Sequence, residues 1–167
     1  DDWQSIYRFT GSDLSLMTNY ENQWEAVVRI DLDHTYRFND KILEASSKFI
    51  TKNPTQLKKE IGSDIKVNKP AIHIASESVS NVIDRIRQRE IAEGGDIGST
   101  ILVLGRYNFV DGVKFPYKSP QIRGLTVHKS KGLEDDYVIV NDMGSGKYGF
   151  PSQIREDPVI SMLLESG

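Results

Sequence analysis

Residues 99–107, Ser-Thr-Ile-Leu-Val-Leu-Gly-Arg-Tyr, contain an unbroken apolar run of strand length. A strand with one face in water alternates apolar and polar residues, so an unbroken run predicts a strand covered on both faces. Two later segments read the same way: Gly-Leu-Thr-Val-His-Lys-Ser at 124–130 and Asp-Tyr-Val-Ile-Val-Asn-Asp at 136–142. Strands of this kind need helices to cover them, and helical patterns precede them. Residues 78–95 predict a helix with Val79, Val82, Ile83 and Ile86 inward and Gly94 as its stop. Residues 40–52 predict another, with Asn39 as N-cap, Ile42, Leu43, Phe49 and Ile50 as apolar stripe, and Asn53-Pro54 ending it. Ser12 or Asp13 caps a short helical pattern before Tyr20. Two further strands are expected. In 24–36, Val28, Ile30 and Leu32 alternate onto one face, and 70–75 is a short apolar run. Helices alternating with strands argue for an α/β fold with a largely parallel sheet, whose ligands gather at the carboxyl ends of the strands.

A length of 167 residues suits one domain with an adequate core. No cysteine is present, which excludes disulfides and thiolate metal sites. No long apolar run or secretion signal is visible, so the expectation is a cytoplasmic protein without membrane contact, although a cysteine-free chain is also compatible with export. A net charge of -3 excludes nucleic-acid binding through bulk charge, and any DNA contact must come from a local groove. Lys48, Lys52, Lys58, Lys59, Lys66 and Lys69 are diluted by Glu60 and Asp64 and read as a solvated face.

Four polar motifs could carry chemistry. Gly144-Ser-Gly-Lys147 suggests a phosphate loop, but the full pattern would need glycine at Asn141 and a hydroxyl at Tyr148, so it reads as a surface turn. Gln4 with Tyr7, Arg8 and Phe9 reads either as a terminus whose aromatics pack on the domain or as a polar sensor beside stacking platforms for bases. Tyr36 and Arg37 lie between a strand and a helix N-cap, where a ring can stack and a guanidinium can grip phosphate; a surface ion pair is the bland alternative. Thr126, His128, Lys129, Ser130, Lys131, Gly132 and Glu134 form a cationic corner whose backbone amides could cradle phosphate, or else a solvated turn with a packed histidine. His34, His73 and His128 have no partners at metal-ligand or triad spacing, so no metal site is expected.

Together these segments resemble the UvrD/Rep-type superfamily 1 DNA helicases, and the wording Thr35-Tyr-Arg-Phe38 points to the helicase IV branch among them. Residues 1–13 resemble the motif that joins two RecA-like motor domains, 31–50 the Tyr-Arg segment, 101–108 the strand motif ending in Arg and Asn, and 125–140 the Thr-x-His-x-x-Lys-Gly-x-Glu motif. The resemblance implies a RecA-like fold of the P-loop NTPase superfamily. Residues 1–12 would end the inter-domain glutamine motif, and 13–167 would form the second motor domain, which carries no P-loop of its own. Gln4 and Arg37 would be catalytic, sensing and contacting the γ-phosphate. Tyr36 would stack on adenine, Glu134 would bind the ribose, and Gly132 would lie at the nucleotide. Tyr7, Phe9, Arg106, Thr126 and His128 would serve single-stranded DNA. ATP and Mg2+ would be held mainly by an N-terminal RecA-like domain of the same protein. Partners implied beyond DNA are repair proteins, or RNA polymerase if the chain is instead a helicase-like binding module that does not unwind.

The chain departs from the family at Thr10, where many relatives carry Arg, and at Asp135, where many carry Phe. Residues 108–124 leave no room for the large inserted subdomain of UvrD and Rep. The 167 residues hold no Walker A lysine, no Asp-Glu pair for magnesium and water, and no final arginine motif, and both ends read as cuts within a longer protein. Phosphoryl transfer depends on positioned charge from all these parts, so this chain by itself is expected to be inactive.

Overall fold

The computed structural model describes residues 3, 13, 15–54, 56–94, 98–107, 121–147, 149–150 and 153. Gln4, Tyr7, Phe9 and Thr10 lie outside them. The chain divides into two compact units, Asp1–Ile74 and Ala75–Gly167, and each is described by itself.

The second unit contains the sheet. Helix α4 (Val79–Ala92) is followed by β3 (Ile101–Gly105), β4 (Ile122–Thr126) and β5 (Tyr137–Val140). The strand order is β4-β3-β5 and both pairings are parallel, with Leu102 opposite Arg123 on one side and Val138 on the other. This is the parallel α/β arrangement that the unbroken run predicts, with that run as the central strand. Ile101, Leu102 and Val103 are all nearly inaccessible. Ile101 and Val103 point toward α4, where they enclose Ile83, and Val79, Ile86, Ile122, Tyr137 and Ile139 pack around the three. Burying one such aliphatic side chain stabilises the fold by about 1.5–3 kcal/mol. The helix stops at the expected glycine, and a serine not singled out from the sequence caps its start. Ser78 Oγ accepts from Asn81 N at 3.3 Å, and Gly94 takes the left-handed conformation at φ 71°.

Two side-chain ties fix the amino edge of this sheet. Asp136 accepts from the backbone N and the hydroxyl of Thr100 at 2.8 and 2.9 Å, joining the entries of β3 and β5. These hydrogen bonds hold the Asp136 carboxyl below its usual value of 3.8. Arg87 binds Glu90 at 3.0 Å and the Ser99 carbonyl at 3.2 Å, which anchors α4 to the residues leading into β3.

The expectation that β5 is covered on both faces is corrected. Tyr137 and Ile139 face the core, but Val138 and Val140 are 50% and 43% exposed. Among the described residues α4 is the only helix of this unit, and it covers the other face.

The first unit comprises α1 (Ser15–Thr18), α2 (Tyr20–Gln23), β1 (His34–Thr35), α3 (Asp40–Ile50) and β2 (Gly62–Ser63). Asp13 Oδ1 accepts from Ser15 N at the head of α1. Asn39 caps α3 through Oδ1, which accepts from Lys41 N and Ile42 N, both at 3.1 Å. Leu43 is the buried residue of α3, while Phe49 is 75% exposed and does not join the expected stripe. The expected strands at 24–36 and 70–75 shrink to the two residues of β1 and to none. Val28, Ile30 and Leu32 are each more than 80% exposed, and Ile74 is fully so. Alternation fixes which side chains share a face, but a strand also needs a neighbour to accept its backbone hydrogen bonds. Within 24–36 only His34 and Thr35 have one, opposite Gly62 and Ser63.

Candidate nucleotide and nucleic-acid site

The Tyr36–Arg37 turn is built by the parallel pair β1–β2 and by the cap of α3. Gly62 N donates to Asp33 O at 2.7 Å, and Ser63 Oγ donates to Phe38 O at 2.8 Å while accepting from Ile65 N. Asp40 N donates to Ile65 O at 2.9 Å, and Asp40 Oδ1 accepts from Val67 N at 3.1 Å. The segment 62–67 therefore grips the chain on both sides of Tyr36 and Arg37, and Ser63, at 3% exposure, is the buried pin. Between these clamps Tyr36 projects with 78% of its surface exposed. Its ring meets His34 at 4.6 Å between centroids, inclined by 48°. Arg37 N donates to Thr35 Oγ1 at 3.4 Å, and the residue is exposed. An exposed tyrosine ring held at its backbone is suited to stacking, and an exposed arginine beside it to anion contact.

Two residues here had no signal in the sequence. His34 Nε2 lies 3.0 Å from Asp64 Oδ2. The contact is an ion pair only when the imidazole is protonated. Further along, Trp3 donates its indole N–H to Leu57 O at 2.9 Å, with Lys59 Nζ 5.5 Å above its ring. Trp3 precedes Gln4 in sequence.

In the second unit Arg106, Thr126 and His128 come together at the carboxyl edge of the sheet, at or just past the ends of β3 and β4. Arg106 is exposed, with its guanidinium carbon 5.5 Å over the Phe150 ring. Thr126 is buried at 6% exposure, and its Oγ1 accepts from Lys129 N at 3.3 Å. His128 is half-buried. The Lys-Ser-Lys-Gly corner that follows is a succession of tight turns: Ser130 N donates to Thr126 O, Ser130 Oγ to Val127 O, and Leu133 N to Ser130 O. The amides of Lys129, Ser130 and Leu133 are thus committed within the turn, so they do not form the open phosphate cradle considered from the sequence. Gly132 is required for its backbone, at φ 86°, with open space where a side chain would stand.

Glu134 is exposed and lies at the other edge. It stands two residues before Asp136, which is tied to Thr100 at the amino end of β3. The structure therefore brings Arg106, Thr126 and His128 together and separates Glu134 from them along the strands. Beside Glu134, the side chain of Asp135 is only 3% exposed, and Arg123 Nη2 binds its Oδ2 at 2.8 Å. The same Nη2 reaches the Glu134 carbonyl at 3.5 Å. The Gly144–Gly149 segment is a turn, with Gly149 N donating to Gly146 O and Phe150 N to Gly144 O. A side chain at position 149 would collide with the Gly144 carbonyl. Among the described residues no three His, Asp or Glu side chains could together hold a metal ion, and no helix is long and apolar enough to cross a membrane.

Comparison with known proteins bears directly on these motifs. The chain is 36% identical over 170 aligned residues to DNA helicase IV of Escherichia coli K12, an alignment covering 98% of this chain. Over almost its whole length it resembles one stretch of a UvrD/Rep-type DNA helicase. A second relative, a probable DNA helicase II homolog of Mycoplasma capricolum, is 28% identical over 109 residues, or 63% of this chain. The chain spans 24% of the length of the first relative and 15% of the second. No protein-family model matches it.

Proposed function

We propose that this chain forms the second, RecA-like motor domain of an ATP-dependent DNA helicase or translocase moving 3′ to 5′. The observation that carries the reading is the Tyr36–Arg37 turn, clamped at its backbone by 62–67 while Tyr36 remains 78% exposed. In this reading Tyr36 stacks on adenine, and Arg37 directs its fork of donors at the γ-phosphate, where charge develops as the phosphoryl group transfers. Gln4 senses the same phosphate, Glu134 accepts from the ribose hydroxyls, and Gly132 gives its corner the turn that carries Glu134. Tyr7 and Phe9 offer stacking faces to single-stranded bases. Arg106 with Thr126 and His128 contacts the strand from the carboxyl edge, where a net charge of -3 leaves only local attraction to work. Mg2+ travels with the ATP phosphates and is held mainly by the other motor domain, which supplies the lysine and the acidic pair. Closure of the two domains around ATP moves the base platforms along the strand. The names of the two relatives support DNA as the substrate.

Arg37→Ala in the full-length protein tests the reading. Loss of a phosphate-contacting arginine of this type lowers turnover by roughly a thousandfold or more. DNA-stimulated ATP hydrolysis should vanish while the unfolding temperature stays where it was. Normal hydrolysis would remove Arg37 from the site.

A further inference from the structure

The contact between His34 and Tyr36 has no place in the roles given so far. The Tyr36 ring projects from a turn in which only its backbone neighbours are fixed, and a ring on such a turn would sample several rotamers. The structure limits that freedom from one side. His34, on β1, lies 4.6 Å from the Tyr36 ring. The imidazole is itself confined. Asp64 Oδ2 stands 3.0 Å from Nε2, and a side-chain carbon built at Gly62 would sit 3.4 Å from Nδ1, so the ring rests against bare backbone on β2. The register that places His34 opposite Gly62 sets both contacts at once.

We propose that His34 is a positioning residue for Tyr36. Set beside Asp64 and next to Gly62, it presets the tyrosine ring as a platform for the adenine base and so contributes to nucleotide preference. This rests on Tyr36 being the adenine platform. Preorganising a side chain raises affinity by removing the cost of ordering it on binding. The expected effect falls on the base, because the residue His34 touches is Tyr36.

The test compares KM for ATP with inhibition by inorganic tripolyphosphate, which carries the phosphates without a base, in the DNA-stimulated reaction of the full-length protein. His34→Ala should raise KM for ATP by roughly threefold to tenfold, the size of an aromatic pair's contribution, and leave kcat and tripolyphosphate inhibition unchanged. His34→Phe keeps an aromatic face against Tyr36 and should recover most of the loss, and Asp64→Asn should fall between. If His34→Ala weakens ATP and tripolyphosphate equally, the residue is merely structural and the inference fails. If Tyr36→Ala selectively weakens ATP but His34→Ala does not, the inference fails and the adenine platform survives. If Tyr36→Ala spares ATP relative to tripolyphosphate, both fall together.

Discussion

Asp135 departs from the phenylalanine that the family resemblance leads one to expect, and its side chain, 3% exposed, is paired. A carboxylate cannot replace a buried ring without a charged partner, and Arg123 reaches across from β4 to supply one at 2.8 Å. Arg123→Met keeps the aliphatic stem but leaves Asp135 buried without its donor. The change should cost about 1–3 kcal/mol, toward the lower figure because the guanidinium is half exposed and screened by salt. Thermal unfolding should show the loss, and adding Asp135→Phe to the same chain should restore most of it. An unchanged melting temperature for Arg123→Met would mean the pair does not hold the Glu134 corner. Neither partner announced the other, since the two residues are brought together only by a sheet register that no local pattern encodes. His34 and Asp64 were hidden for the same reason, whereas Tyr36 and Arg37 were legible because their motif is contiguous.

At the scale of elements, legibility followed the number of faces an element buries. The run at 101–104 is apolar throughout and is the central strand, while α4 announced its inward stripe and glycine stop but not its Ser78 cap. The β5 pattern was misread as buried on both sides, because Val-Ile-Val has the composition of a doubly covered strand whether or not a helix covers it. The distinction has a measurable consequence. Val103 is 1% exposed within the Ile83 cluster, so Val103→Asp would bury an unpaired charge and should abolish folding. Val138→Asp keeps its carboxylate in water at a position 50% exposed, and should lower stability by no more than about 1 kcal/mol, the range of strand propensity. Circular dichroism melts of the two variants decide it. Equal loss of structure in both would place a cover over Val138 and Val140. The segment at 24–36 shows the opposite limit: its alternation was real, yet the ladder partner that would make a longer strand lay beyond anything alternation can specify.

At the scale of the molecule, the pieces needed for ATP hydrolysis can be counted against the sequence. In the proposed reading, the roles given to Tyr36, Arg37 and Glu134 account for contacts to base, γ-phosphate and ribose, but for no group that activates water or holds magnesium. The opposite side of the nucleotide requires a lysine on a glycine-rich loop and an Asp-Glu pair to place magnesium and water, and the 167 residues contain neither pattern. The one glycine-lysine turn that resembles such a loop, at 144–147, departs from it at Asn141 and Tyr148, and closes on itself through the Gly146 and Gly144 carbonyls. The chain spans 24% of the length of Escherichia coli DNA helicase IV, to which it is similar. The purified 167-residue chain should therefore release no phosphate from ATP above the buffer rate, with or without single-stranded DNA. Addition of a separately folded N-terminal motor domain from the same protein should restore DNA-stimulated release. Turnover by the chain alone, abolished by Arg37→Ala, would require a complete phosphate site within these residues and would overturn the division of the cleft between two domains.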